Sequence, residues 1–151
     1  MPSDTYSIGT EVDTDLSSGE LQSILDTGLA LMPVQHVRNP NWMPSAQLGS
    51  ADGQNAVANA QACGLPAGVT IWCDSEGQAG GAAETTAYVN AWAQALRNGG
   101  YDPGLYVGSG TPLDGQQLYA LSVDRYWASS ASSRSKAYRS TKSRGNRGGH
   151  I

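Results

Sequence analysis

Short apolar runs alternate along this chain with stretches whose apolar residues recur every three or four positions. Five runs read as strands: YSIGTEV (6–12), LALMPVQHV (29–37), VTIWCDSE (69–76), GLYVGSG (104–110) and DRYWASS (124–130). The second and third are near-continuous apolar segments, the pattern of strands covered on both faces. Helical patterns lie between them. In SSGELQSILDTG, Ser17 or Ser18 is placed to cap the start, Leu21, Ile24 and Leu25 form one face, and Gly28 fits the position just past the end. SADGQNAVANAQACG offers Ser50 or Asp52 as a cap and Gly64 as a stop. In AAETTAYVNAWAQALRNGG, Tyr88, Val89, Trp92, Ala95 and Leu96 fall on one helical stripe, which predicts core positions rather than ligand contacts. TPLDGQQLYALS predicts a short fourth helix with Asp114 near its start. Strands alternating with helices predict an α/β fold with a parallel sheet.

Composition adds bounds. The chain has 151 residues, enough for one domain with a real core, with 39% apolar and 15% charged residues. No stretch approaches the ~18 apolar residues of a membrane span. The N-terminal MPSDTYSIGTEVDTD lacks the basic start and apolar centre of a secretory signal, so the default compartment is the cytoplasm. Cys63 and Cys73 have no second pair of ligands, which argues against zinc, and their layout (a helix end and the far end of the next strand) predicts two free thiols.

Charge divides the chain unevenly. Residues 1–128 carry all 13 acids against Arg38, Arg97 and Arg125, a net of −10, while 129–151 carry six basic residues and no acid, giving −4 in all. Beyond residue 130 aliphatics almost vanish. The expectation is a folded domain over 1–130 and a disordered basic tail over 131–151, rich in Ser, Arg and Gly. A solvated tail accounts for six positive charges without a nucleic-acid or membrane partner.

Chemistry concentrates at WCDSE. Side chains alternate along a strand, so Trp72, Asp74 and Glu76 are expected on one face and Ile71, Cys73 and Ser75 on the other. An aromatic followed by two carboxylates at a strand's C-terminal end suits glycoside hydrolysis. One carboxyl donates a proton to the leaving oxygen and the other stabilises or attacks the oxocarbenium-like centre, while the indole offers a flat surface to a sugar ring. The plainer alternative is that Asp74 and Glu76 open a polar loop. No G-x-S-x-G accompanies His36, so a nucleophile triad is not indicated, and no GxGxxG or GxxxxGK[ST] follows a strand. Trp42, in the loop NPNWMPS, either stacks on a sugar or plugs an apolar surface.

The ordered set LGSADGQNAVANAQACGLPAGVTIWCDSEG, TTAYVNAWAQALRNGGYDPGLYVGSG and DRYWASS resembles a bacterial glycoside-hydrolase-like domain family of unknown function. The shared features are an A-x-x-G-x-P helix end leading to D-x-E, a helix ending in GY-x-x-G-x-Y, and a later Y-W-A-S. That family looks like a relative of the family 25 lysozymes, with a parallel (β/α) barrel of TIM type. The resemblance implies a cell-wall-associated or carbohydrate-processing protein acting on peptidoglycan or another polysaccharide, with no cofactor. Carried over by position, Asp74 and Glu76 match the carboxylates, with Glu76 the proton donor. Gln35 and His36 match the polar end of the preceding strand, and Tyr106 and Trp127 match aromatics near the next strand ends. The family's opening G-x-D strand and closing strands have no clear counterpart, so an incomplete barrel of about five βα units is expected. Open sheet edges would favour self-association. The alternative is a non-catalytic barrel that at most binds glycan through Trp42, Trp72 and Trp127.

Overall fold

A computed structural model describes residues 16–35, 38–108 and 110–129. The expected strand over 6–12, His36 and the basic tail lie outside the described residues.

Four parallel strands form one sheet in the order β1-β2-β3-β4: β1 (Val34–Gln35), β2 (Thr70–Asp74), β3 (Asp102–Val107) and β4 (Arg125–Ala128). Helix α1 (Ser18–Asp26) precedes β1, and α2 (Ala46–Cys63), α3 (Ala82–Asn98) and α4 (Gly115–Ala120) form the three crossovers. Each strand pairs with the next in sequence. Crossovers of one hand then carry α2, α3 and α4 to the same side of the sheet. The result is an α/β architecture compatible with part of a barrel.

Local sequence accounts for most of these elements. Ser17 and Glu20 form a reciprocal capping box at the start of α1, and Gly28 takes φ +80° just beyond its end. Asp114 and Gln117 form a second box at α4. Helix α2 begins earlier than Ser50 or Asp52 would place it, because the Ser45 hydroxyl accepts the Leu48 N–H and caps the helix there.

The expected nine-residue strand over 29–37 is the largest correction. Among its described residues the ladder is confined to Val34 and Gln35, and Leu29, Met32 and Val34 are exposed. Pro33 has no N–H to give; it enters the sheet only by accepting the Trp72 N–H at its carbonyl, 2.9 Å away. The run is apolar, but within the described residues it forms a sheet margin rather than a covered strand.

The core lies between the helices and one face of the sheet. Ile71 and Cys73 of β2 and Leu105 and Val107 of β3 meet Val89, Trp92 and Leu96 of α3 and Leu118 of α4. Helices α2 and α3 approach closely through Gly49 and Gly53. A Cβ on Gly49 would overlap the Tyr88 carbonyl, and one on Gly53 would lie 2.7 Å from both the Ala95 Cβ and the Trp92 carbonyl oxygen. Neither cysteine forms a disulfide: Cys73 is buried inside β2, and Cys63 is half-buried at the end of α2. No described helix is long and apolar enough to cross a membrane.

Candidate carboxylate site

The face of the sheet opposite the described helices carries the candidate chemistry. In parallel register Trp72 lies beside Gly104, Asp74 beside Tyr106, and Tyr106 beside Trp127. The Trp72 indole covers Gly104 so closely that a Cβ there would come 2.6 Å from Cε3. Trp127 meets both aromatic neighbours edge-on, with ring centres 6.1 Å from Trp72 and 4.9 Å from Tyr106. Trp72 is buried, Tyr106 half-buried, and Trp127 keeps 43% of its surface in solvent. Four of the candidate residues thus share one aromatic and acidic surface.

Glu76 reaches the same end of the sheet by a different route than alternation implies. The strand stops at Asp74, whose Oδ1 accepts the Glu76 N–H at 3.1 Å and turns the chain. Gly77 continues the turn at φ +71°. From this turn the Glu76 side chain lies against β3: a Cβ on Gly108 would overlap Oε1 and come 2.6 Å from Cδ. Burial raises the carboxyl's pKa above the ordinary carboxylate value, and the neighbouring Asp74 charge adds to the shift.

The loop before α2 is laced to this turn. The Asn41 N–H donates to the Gly77 carbonyl (2.7 Å), the Ala79 N–H to the Trp42 carbonyl (2.8 Å), and the Trp42 indole N–H to the Glu76 carbonyl (3.1 Å). Trp42 also meets Tyr88 edge-on at 4.9 Å. Trp42 therefore sits behind the carboxylates, half-buried, and not beside Trp72 and Trp127.

Gln35 does not join the cluster. It is on the helix-covered face, where its amide nitrogen donates to the Asp52 carbonyl at 3.1 Å and its oxygen accepts the Trp92 indole N–H. Its polar groups are spent on packing α2 and α3 against β1, on the face of the sheet opposite Trp72 and Asp74. That packing exposes residues the sequence alone did not single out. Asp52 is fully buried, bonded by both carboxylate oxygens to Arg38, and accepts the Tyr88 hydroxyl at 2.8 Å. Asp52 had a local signal only as a possible cap, and Gly108 only as one glycine in YVGSG. Among the described residues, no group of three or more His, Cys, Asp or Glu side chains is placed to hold a metal ion.

The chain belongs to the family of Rv2525c-like, glycoside hydrolase-like domains, whose model matches residues 4–147. It is also similar to the 1.07 Å crystal structure of an uncharacterized B. stearothermophilus protein, with a TM-score of 0.55 and 26% identity. That likeness covers 73% of this chain and 50% of the other, so this chain spans about half the length of the solved one. No curated protein matches it.

Proposed function

We propose that the Asp74–Glu76 end of the sheet is a site for glycosidic-bond hydrolysis in peptidoglycan or another polysaccharide, on part of a TIM-type barrel related to the family 25 lysozymes. The observation that carries this reading is the placement of Glu76. Its carboxyl lies over bare backbone at Gly108, partly desolvated and next to a second acid. Both influences favour the protonated form, the state a general acid needs before it gives its proton to a leaving oxygen.

Asp74 has one oxygen engaged by the Glu76 N–H. Its charge is held at the strand end, where it stabilises positive character developing on the sugar ring. Trp127, with Trp72 and Tyr106 behind it, supplies an apolar face for that ring. In a retaining course Asp74 attacks the anomeric carbon, and Glu76, having given its proton to the leaving oxygen, takes one from the water that then cleaves the glycosyl ester; in an inverting course water attacks directly and Asp74 takes its proton.

A glycan-binding role without hydrolysis is the second reading, favoured by the exposure of Trp127 on two supporting rings. Release of reducing ends from peptidoglycan and soluble glycans, compared with Glu76→Gln and Asp74→Asn, separates the two. Hydrolysis abolished by Glu76→Gln supports the enzyme. Glycan retention with no release by any variant supports the binding module.

A further inference from the structure

We propose that Trp42 is a positioning residue of the carboxylate site, fixing the turn that carries Glu76 without meeting the glycan itself. The inference rests on the reading of Glu76 as proton donor. It changes the part Trp42 plays, from a surface for sugar to a strut behind the acid.

Three observations converge on this assignment. First, the indole N–H is committed to the Glu76 carbonyl at 3.1 Å, and the main chain of Trp42 accepts the Ala79 N–H at 2.8 Å. Together with the Asn41–Gly77 bond, these contacts grip the turn from Glu76 to Ala79. Second, Asn41 takes φ +70° to bring the loop into place, a left-handed conformation that is uncommon for a residue other than glycine. Third, the indole does not hang free: it meets the Tyr88 ring at 4.9 Å, and Tyr88 is held by its hydroxyl to buried Asp52, itself paired with Arg38.

The Glu76 turn is thus tied through one side chain to the α2–α3 interface. Glu76 is fixed from two directions. Trp42 holds its carbonyl, and the bare Gly108 backbone receives its carboxyl. A turn without the strut would let the carboxyl swing into water, and an acid that is fully hydrated titrates like any other.

The test is to replace Trp42 by benzothienylalanine, which keeps the ring shape but has sulfur in place of N–H, with Trp42→Phe as a second variant. The Glu76 carboxyl is followed by carbon-13 NMR titration in the full chain. Asp74 from β2 and Tyr106 from β3 are the other titratable side chains at this level of the sheet, so Asp74 is followed in parallel. The expected result is a Glu76 midpoint lowered toward the ordinary glutamate value, with the melting transition retained in the isosteric variant. An unchanged Glu76 midpoint in a folded variant overturns the proposal. Where hydrolysis is measurable, a fall in kcat at constant KM supports positioning. A rise in KM at constant kcat shows that Trp42 contacts glycan and overturns it. Absence of hydrolysis in the parent chain refutes the catalytic reading alone, because the titration still reports whether Trp42 holds the turn.

Discussion

The carboxyl of Glu76 occupies the space that a side chain at residue 108 would fill. A Cβ on Gly108 would overlap Glu76 Oε1 and lie 3.1 Å from Cγ. Glycine is needed there for proximity, not for backbone conformation. The atom that must yield is the end of a flexible side chain, so Gly108→Ala is expected to change stability by less than about 1 kcal/mol. It should nevertheless displace the carboxyl, abolish any hydrolysis that depends on Glu76, and bring the Glu76 titration back toward the ordinary range. Melting curves and an NMR titration of the variant check both halves.

Glu76 itself should make stability depend on pH in a recognisable direction. Its folded pKa is raised by burial first and by Asp74 second, so between the unfolded and folded values the native state holds more protons. Stability from this group is therefore fully present below the unfolded pKa and is lost as pH rises through the folded one. Glu76→Gln removes that loss. The variant should melt higher than the parent at neutral pH, and the difference should shrink as pH falls below the ordinary glutamate range. A variant less stable than the parent at pH 7 would show that the carboxylate is better paired than its position implies.

The buried ion pair offers a prediction remote from the site. Asp52 is fully inaccessible, and Arg38 and Tyr88 satisfy its carboxylate. Arg38→Met leaves a buried charge with one neutral donor and should cost about 3 kcal/mol, the lower end for a broken buried pair because the guanidinium is partly exposed. Tyr88→Phe removes a single hydrogen bond to the same charge and should cost about 1.5 to 3 kcal/mol. Urea denaturation of the two variants and the double variant tests whether the losses are coupled.

How far these features were legible from the sequence follows from how local each one is. The α1 capping box, the α4 box and the stripe from Tyr88 to Leu96 depend on residues a few positions apart, and each is readable as a pattern. The 29–37 run was not, because an apolar strand at a sheet margin and a covered one have the same composition, and only pairing distinguishes them. Asp74 and Glu76 were legible as neighbours. That Glu76 is carried by a turn closed on Asp74 Oδ1 was not, since strand alternation already gave a sufficient account of the spacing. Gln35, read as a site residue, faces the other way because its partners Asp52 and Trp92 come from helices distant in sequence. Arg38 and Asp52 are paired 14 residues apart, and neither residue type announces that pairing.

The aromatic surface separates structural from ligand-facing tryptophans, and the two should respond oppositely to truncation. Trp72 is buried against Gly104, so Trp72→Ala opens a cavity beneath β3 and should cost about 3–5 kcal/mol. Trp127 is 43% exposed and meets Trp72 and Tyr106 edge-on, so Trp127→Ala should cost about 1 kcal/mol. If its exposed face receives a sugar ring, the same change should reduce retention on insoluble peptidoglycan or a matching polysaccharide by tenfold or more, on the order of 1.4 kcal/mol. Co-sedimentation of the folded Trp127→Ala chain measures this directly. Retention equal to that of the parent would remove Trp127 from the glycan surface and leave the carboxylates without an aromatic floor in solvent.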